Sequence, residues 1–318
     1  MGTDRRDAGG LVEWRKLAMK NRLQRTFTIV FLLAFLALQA VAARPAWAAP
    51  GDTVADVITP EGQTVWPVGI SPSVAFDGKY LYYAEYAGHL LHRIDTPPAG
   101  GTYTGANEST VPIIGMPSGV MALAYDAGRD AFWATAGDGL SIYLLGKTGV
   151  AILIFTIDPV NGRPGFTCAP GNFCTESKLA YDRTDDTLWI GPDAWTRIYH
   201  YQTYPDPTGY SVLSKTTPFI DVSAPPNDMT PECGYSIVSG LAVGGDLLFI
   251  GAGGCARYFE YSKTGVKVAS VAMAAISVGD FECDNVTYPV SVIWVKNSFF
   301  GEIRAYEQPA ANACRYGG

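Results

Sequence analysis

The chain has 318 residues, of which 48% are hydrophobic, 12% aromatic and 17% charged, with 21 prolines. That much apolar material offsets the entropy of ordering, so the composition excludes a largely disordered chain. Thirty acidic residues against 23 basic ones give a net charge of −7, and no basic patch lies beyond the first 25 residues, which speaks against a nucleic-acid partner.

The N-terminus reads as an address. Residues 15–25 are basic, residues 28–42 are apolar and uncharged, and Ala46-Trp47-Ala48 places small residues where a signal peptidase reads. We expect a signal peptide over residues 1–48, cleaved between Ala48 and Ala49, and a single domain over 49–318. Retention as an anchor is the other reading, but residues 28–42 fall short of the roughly 20 that a spanning helix needs. Residues 1–48 carry eight basic and three acidic side chains, so their loss takes the net charge from −7 to −12. Such a chain is expected to be secreted, periplasmic or held at the cell surface, to be monomeric, and to have no affinity for membrane once cleaved.

A pattern then recurs five times: a strand carrying an aromatic residue, a short Gly/Asp/Asn-rich turn, and a second alternating strand. The copies are LYYAEYAGHLLHRID (81–95), FWATAGDGLSIYLLG (132–146), LWIGPDAWTRIYHYQ (188–202), LFIGAGGCARYFEYS (248–262) and IWVKNSFFGEIRAYE (293–307). The aromatic anchors are Tyr82, Trp133, Trp189, Phe249 and Trp294, and a large apolar residue follows each after nine positions: Leu91, Ile142, Ile198, Tyr258 and Ile303. Another strand precedes each anchor across a turn rich in Asp and Gly: SVAFDGK (73–79), ALAYDAGRD (122–130), KLAYDRTDD (178–186), GLAVGGD (240–246) and FECDNVTYP (281–289). A fourth strand fits residues 109–115, 150–158, 210–220 and 266–274.

Four-stranded units of about 50 residues that cannot bury both sheet faces alone predict an all-β propeller with five blades. A sixth blade is open if 100–120 or 205–235 hides a degenerate copy. The fifth unit lacks a fourth strand after Glu307, and DTVADVIT (52–59) has no partner of its own. The N-terminal segment is therefore expected to close the ring as the outer strand of the last blade, which removes an exposed edge.

The blocks LAYDRTDDTLWIG and IWVKNSFFGEIRAYE resemble the repeats of NHL-type and senescence-marker/gluconolactonase-like propellers. That resemblance spans most of residues 70–307 and implies the fold. Its members include lactonases, lyases and modules that only bind ligand or protein, and they usually have six or seven blades.

In a propeller the loops where inner strands begin, and those joining second to third strands, form one mouth of the channel. Around it the sequence offers Glu85, Tyr86, Asp138, Asp193, Trp195, Arg257, Asn297 and Phe299 from the latter loops. The former supply Glu176, Lys178, Glu232, Tyr235, Ser236, Asp280 and Glu282. Glu85, Tyr86, Asp193, Trp195, Tyr235, Arg257 and Phe299 are candidate ligand contacts, the rings by stacking on a sugar or flat ligand. Glu85, Asp138, Asp193 and Asn297 are candidate ligands for Ca²⁺ or another divalent cation, which would polarise an ester or lactone carbonyl. Asp and Asn are also ordinary turn residues. No G-x-S-x-G occurs, so no catalytic residue is assigned; His200, His89 and His92 read as blade residues.

Six cysteines in an exported chain predict disulfides, with no C-x-x-C to suggest zinc or redox chemistry. Their placement suggests Cys168–Cys174, Cys233–Cys255 and Cys283–Cys314. Asn107 and Asn285 begin glycosylation sequons. The expected role is recognition of a small molecule, saccharide, peptide or protein at the channel mouth. The alternative is a metal-assisted hydrolase, lactonase or lyase.

Overall fold

The computed structural model describes residues 49–59, 72–104, 108–167, 176–274, 276–309 and 314. The leader and the Cys168–Cys174 pairing lie outside the described residues. After β1 (Thr53–Ile58), blade one is built from β2 (Ala75–Phe76), β3 (Tyr80–Ala84), β4 (Leu90–Asp95) and β6 (Ser109–Pro112), with β5 (Thr102–Tyr103) between the last two in sequence. Blade two is β7 (Val120–Asp126), β8 (Ala131–Ala136), β9 (Ser141–Gly146) and β10 (Ala151–Thr156). Blade three is β11 (Ser177–Asp182), β12 (Thr187–Pro192) and β13 (Arg197–Pro205), whose outer edge is shared by β14 (Ser211–Leu213) and β15 (Phe219–Asp221). One helical turn, α1 (Thr230–Cys233), precedes blade four: β16 (Gly240–Gly244), β17 (Leu247–Gly251), β18 (Arg257–Ser262) and β19 (Lys267–Ala272). Blade five is β20 (Val278–Asp284), β21 (Val292–Asn297) and β22 (Glu302–Glu307), completed by β1.

The inner strands close a circle: β2 packs on β7, β7 on β11, β11 on β16, β16 on β20, and β20 back on β2. Strand β1 pairs antiparallel with β22, Val57 opposite Ile303 and Asp56 opposite Arg304, so the N-terminal segment closes the ring as expected. Among the described residues of 100–120 and 205–235 no sixth sheet forms: β5 extends blade five by pairing with β1, β6 completes blade one, and β14 and β15 complete blade three.

Each anchor sits in a different interblade core. Tyr82 packs with Leu123 and Phe132, Trp133 with Leu179 and Leu188, Trp189 with Leu241 and Ile250, Phe249 with Val278 and Phe281, and Trp294 with Leu81 and Tyr83. The turn after the inner strand explains why an aromatic with a polar tip suits the position. Asp77, Asp126 and Asp284 cap that turn with Oδ1, accepting amides from Tyr80, Arg129 and Thr287, among others. Their Oδ2 atoms accept from the Tyr82 hydroxyl at 3.1 Å, the Trp133 indole at 3.1 Å and the Trp294 indole at 3.0 Å. In blade three, Asp182 instead ion-pairs with Lys263 of blade four at 2.6 Å, and the Trp189 indole nitrogen has no partner. Lys147 to Asp77 at 2.8 Å and Arg129 to Asp186 at 2.8 Å tie further neighbouring blades on the same face.

Two of the expected disulfides are present, Cys233–Cys255 with Cα atoms 5.6 Å apart and Cys283–Cys314 with Cα atoms 5.4 Å apart. The second bridge holds the buried Cys314 against the inner strand of the closing blade. The double variant Cys283→Ala/Cys314→Ala is expected to unfold in urea with about 2–3 kcal/mol less stability. An unchanged midpoint would show that the bridge is not needed to hold the tail.

Candidate functional site at the channel axis

Strand register places all five anchors opposite one repeat position of the inner strand. Tyr82 faces Ala75, Trp133 faces Ala124, Trp189 faces Ala180, Phe249 faces Ala242, and Trp294 faces Glu282. Four blades thus set a methyl group at this level, and the fifth sets a carboxyl. Two residues earlier stand Ser73, just ahead of β2, and Ala122, Lys178, Gly240 and Asp280 within the other four inner strands. A lysine and an aspartate therefore occupy one level, nearer the ends where the inner strands begin. We call that end the front mouth.

The two acids of β20 reach across the axis. Asp280 Oδ2 accepts from the amides of Val74 at 3.3 Å and Leu123 at 3.5 Å. Glu282 accepts from the amides of Phe76 and Tyr125 as well as that of Cys283. Strand β2 neighbours β20, but β7 belongs to the blade beyond, so both side chains cross the channel. The reason is local. The axial edge of an inner strand has no further strand to pair with, and every second amide there needs an acceptor. Carboxyls two residues apart on β20 match amides two residues apart at Val74 and Phe76 and on β7. Below them the axis narrows to a void of about 10 Å³ lined by Ala124, Ala180, Ala242 and Glu282, about one water in size.

Burial dominates the electrostatics. It pushes Asp280 well above the usual carboxylate range, against the pull of the Lys178 charge. It pushes Glu282 up to about 8, against three backbone amides and the Arg183 charge. Lys178 is only 2% exposed and lies 3.8 Å from Glu176. Burial raises Glu176, Lys178 opposes the rise, and the nearby Asp193 charge adds to it. The Asp193 amide donates to the Glu176 carbonyl at 2.7 Å, which fixes the loop after β12 against the start of β11. Asp280 Oδ1 and Asp193 Oδ1 are buried and find no partner of proper geometry.

Of the residues named from sequence, Asp193, Glu176, Lys178 and Asp280 thus converge. Lys178 lies in β11 and Asp280 and Glu282 in β20, and their side chains fill the channel instead of rimming it. Trp195 follows Asp193, pairs with Val238 through backbone hydrogen bonds and sets its ring edge-on to Phe166 at 5.2 Å.

The other candidates are engaged locally. Glu85 bonds His92 Nε2 at 3.1 Å, while His92 Nδ1 contacts Glu108. Tyr86 lies against Gly119 and Gly137, where an added Cβ would collide with it, so those glycines let two loops meet. Asp138 caps its own turn through the amides of Leu140 at 2.9 Å and Ser141 at 2.8 Å. Arg257 donates to Ser270 at 3.0 Å, and the Tyr235 hydroxyl to the Gly253 carbonyl at 2.6 Å. Asn297 bridges Glu302 and the Phe299 amide, and Phe299 is 52% exposed. Among the described residues no three His, Cys, Asp or Glu side chains gather as a metal-binding group. His200 is a buried blade residue, stacked on Trp189 at 3.9 Å.

Glu282 is visible in the sequence as an acid near the mouth, but its place on the axis is not. The signal was the aligned series VAF, LAY, LAY, LAV and FEC, in which only the last copy replaces a methyl with an acid.

No family model matches the chain, and no curated protein sequence matches it. Among solved structures it is similar to glutaminyl cyclase from Myxococcus xanthus, with 8% identity over 80% of this chain and 97% of that one, and a TM-score of 0.49. A luciferin-regenerating enzyme gives 11% identity over 80% and 97%, with a TM-score of 0.44. The WD40 β-propeller domain of Doa1 gives 13% over 82% and 94%, with a TM-score of 0.41. At such identities the likeness concerns architecture alone, and membership of the NHL-type or gluconolactonase-like groups does not follow from it.

Proposed function

We propose that the protein is exported and recognises a saccharide, peptide or protein at the front mouth of its channel. Asp193 and Glu176 supply the polar contacts at the rim, Lys178 and Asp280 set the charge of the level beneath them, and Trp195 flanks the rim. One observation carries this reading: a buried lysine shares the axis with acids that keep two oxygens unpartnered. Buried polar atoms are nearly always satisfied, and those that are not call for a functional account. Ala122 and Gly240 at the same level show that the ring also accommodates small, uncharged residues there. A ligand bringing hydrogen-bond donors to Asp193 and an acceptor to Lys178 completes the set.

Export is supported by residues 1–48, which have the order of a signal peptide, and by the two disulfides, which suit an oxidising compartment. Among the described residues no helix is long and apolar enough to cross a membrane. N-terminal sequencing of the exported protein is expected to begin at Ala49.

Binding is tested by screening soluble oligosaccharides and peptides against the native chain and the Asp193→Asn variant. Asp193 lies at the mouth, so the variant is expected to fold normally and to bind about tenfold more weakly. Hits that bind both proteins equally would move the site elsewhere. Chelation with EDTA is expected to leave binding unchanged; a chelator-sensitive lactonase or esterase activity would favour the metal-assisted alternative instead.

A further inference from the structure

Blades one and two leave between them a cavity of about 220 Å³, lined by Tyr82, Leu91, Arg93, Ser109, Val111 and Lys147. Its lining shares no residue with the front mouth. The register shows how it forms. Tyr82 lies opposite Arg93, and Arg93 opposite Ser109, which makes one row across β3, β4 and β6. Leu91 opposite Val111 makes part of the next row on the same face, because side chains two apart along a strand point the same way. An aromatic ring, two aliphatic side chains, a guanidinium and a hydroxyl therefore line one side, and Lys147 arrives from the third-to-fourth strand turn of blade two.

Other blades fill this position differently. Trp133 faces Leu144, Trp189 faces His200, Phe249 faces Glu260 and Trp294 faces Ala305. Blade one alone combines the smaller tyrosine anchor with an exposed arginine.

The charges are unequal in what they have left to give. Lys147 is ion-paired with Asp77 at 2.8 Å and Asp130 at 2.6 Å. The Arg93 guanidinium lies over the Tyr80 ring at 4.7 Å and makes no salt bridge among the described residues. Among the described residues the cavity thus offers one guanidinium without a salt bridge, beside a hydroxyl and above an apolar wall.

We propose that this interblade cavity binds a small hydrophobic carboxylate. Its acid group takes the planar fork of Arg93 with help from Ser109, and its apolar body lies on Tyr82, Leu91 and Val111. Arginine matches carboxylate geometry with two parallel donors. A hydrophobic cation is repelled by Arg93, and a neutral apolar ligand covers the guanidinium without pairing it, which is costly. The volume suits a ligand smaller than a drug-sized molecule.

Titration of the full mature chain with benzoate and with hexanoate tests the proposal, with benzylamine and benzyl alcohol as charge-inverted and neutral controls. Saturable binding of at least one carboxylate is expected, weakened about tenfold or more by Arg93→Gln. Ser109→Phe, on an exposed position of an outer strand, is expected to block binding by filling the cavity while leaving the thermal midpoint in place. Failure of both carboxylates to bind would overturn the proposal. So would equal binding of benzylamine, or a carboxylate affinity indifferent to both substitutions. None of these results touches Asp193, so the front-mouth reading stands or falls separately.

Discussion

Replacing Trp133 with alanine is expected to lower the unfolding free energy by about 4 kcal/mol, because a fully buried indole leaves a void that its neighbours cannot close. Trp133 is 1% exposed and packs between blades two and three. Its indole also donates to Asp126 Oδ2, an atom that Arg129 contacts as well. The phenylalanine series separates packing from hydrogen bonding. Trp133→Phe and Trp294→Phe each delete an indole bond to a buried aspartate, whereas the Trp189 nitrogen has no partner to lose. The first two substitutions are expected to cost more than Trp189→Phe by about 1–3 kcal/mol, the usual worth of a hydrogen bond to a charged group. Urea melts of the three variants decide it. Equal losses would show that the capping aspartates do not use the anchors.

Stability is expected to fall as the solution turns alkaline. Burial raises Glu282 from an unfolded value near 4.5 up to about 8. Between those values the folded chain holds a proton that the unfolded chain has released, so rising pH favours unfolding. From pH 5 to 8 this one group withdraws about 3 kcal/mol. Asp280, also raised by burial, acts in the same direction. His200 opposes them at the acid end: burial lowers its pKa below 6.5, so its neutral form adds stability as pH climbs to 6.5 and nothing beyond. The clearest window is therefore pH 6.5 to 8. There the urea midpoint of the native chain is expected to drop, and Glu282→Ala, which installs the residue found in the other four blades, is expected to flatten the drop. A slope as steep in the variant as in the native chain would assign the proton to another group.

What the sequence disclosed follows from periodicity. A strand shows every second side chain to one face, so an anchor repeated in five copies, each followed by an apolar residue nine positions on, marks five equivalent sheets. Closure by residues 53–58 was readable because the fifth copy was one strand short. The Cys233–Cys255 bridge followed from two loops of one face that must meet, and Cys283–Cys314 from the two cysteines that remain, which tie the tail to the last blade.

The site was less legible, for a physical reason. An acid inside an inner strand breaks the apolar pattern that identifies such strands, so the sequence starts this strand only at Phe281 and leaves Asp280 in a loop. Only the ring shows that the carboxyls of Asp280 and Glu282 serve amides one and two blades away. Glu85 looked like a free carboxylate because its bond to His92 runs between strands whose register the sequence does not state. The interblade cavity was invisible for the same cause. It depends on Arg93 standing opposite both Tyr82 and Ser109.

Recognition is proposed at the charged level around Lys178. Amide chemical-shift mapping with a saccharide or peptide hit tests it most directly. Perturbations are expected at residues 176–178, 193–195 and 278–280, which surround that level at the strand starts. Shifts confined to the turns at 77–79, 127–130 and 183–186, or to the outer strands, would contradict it.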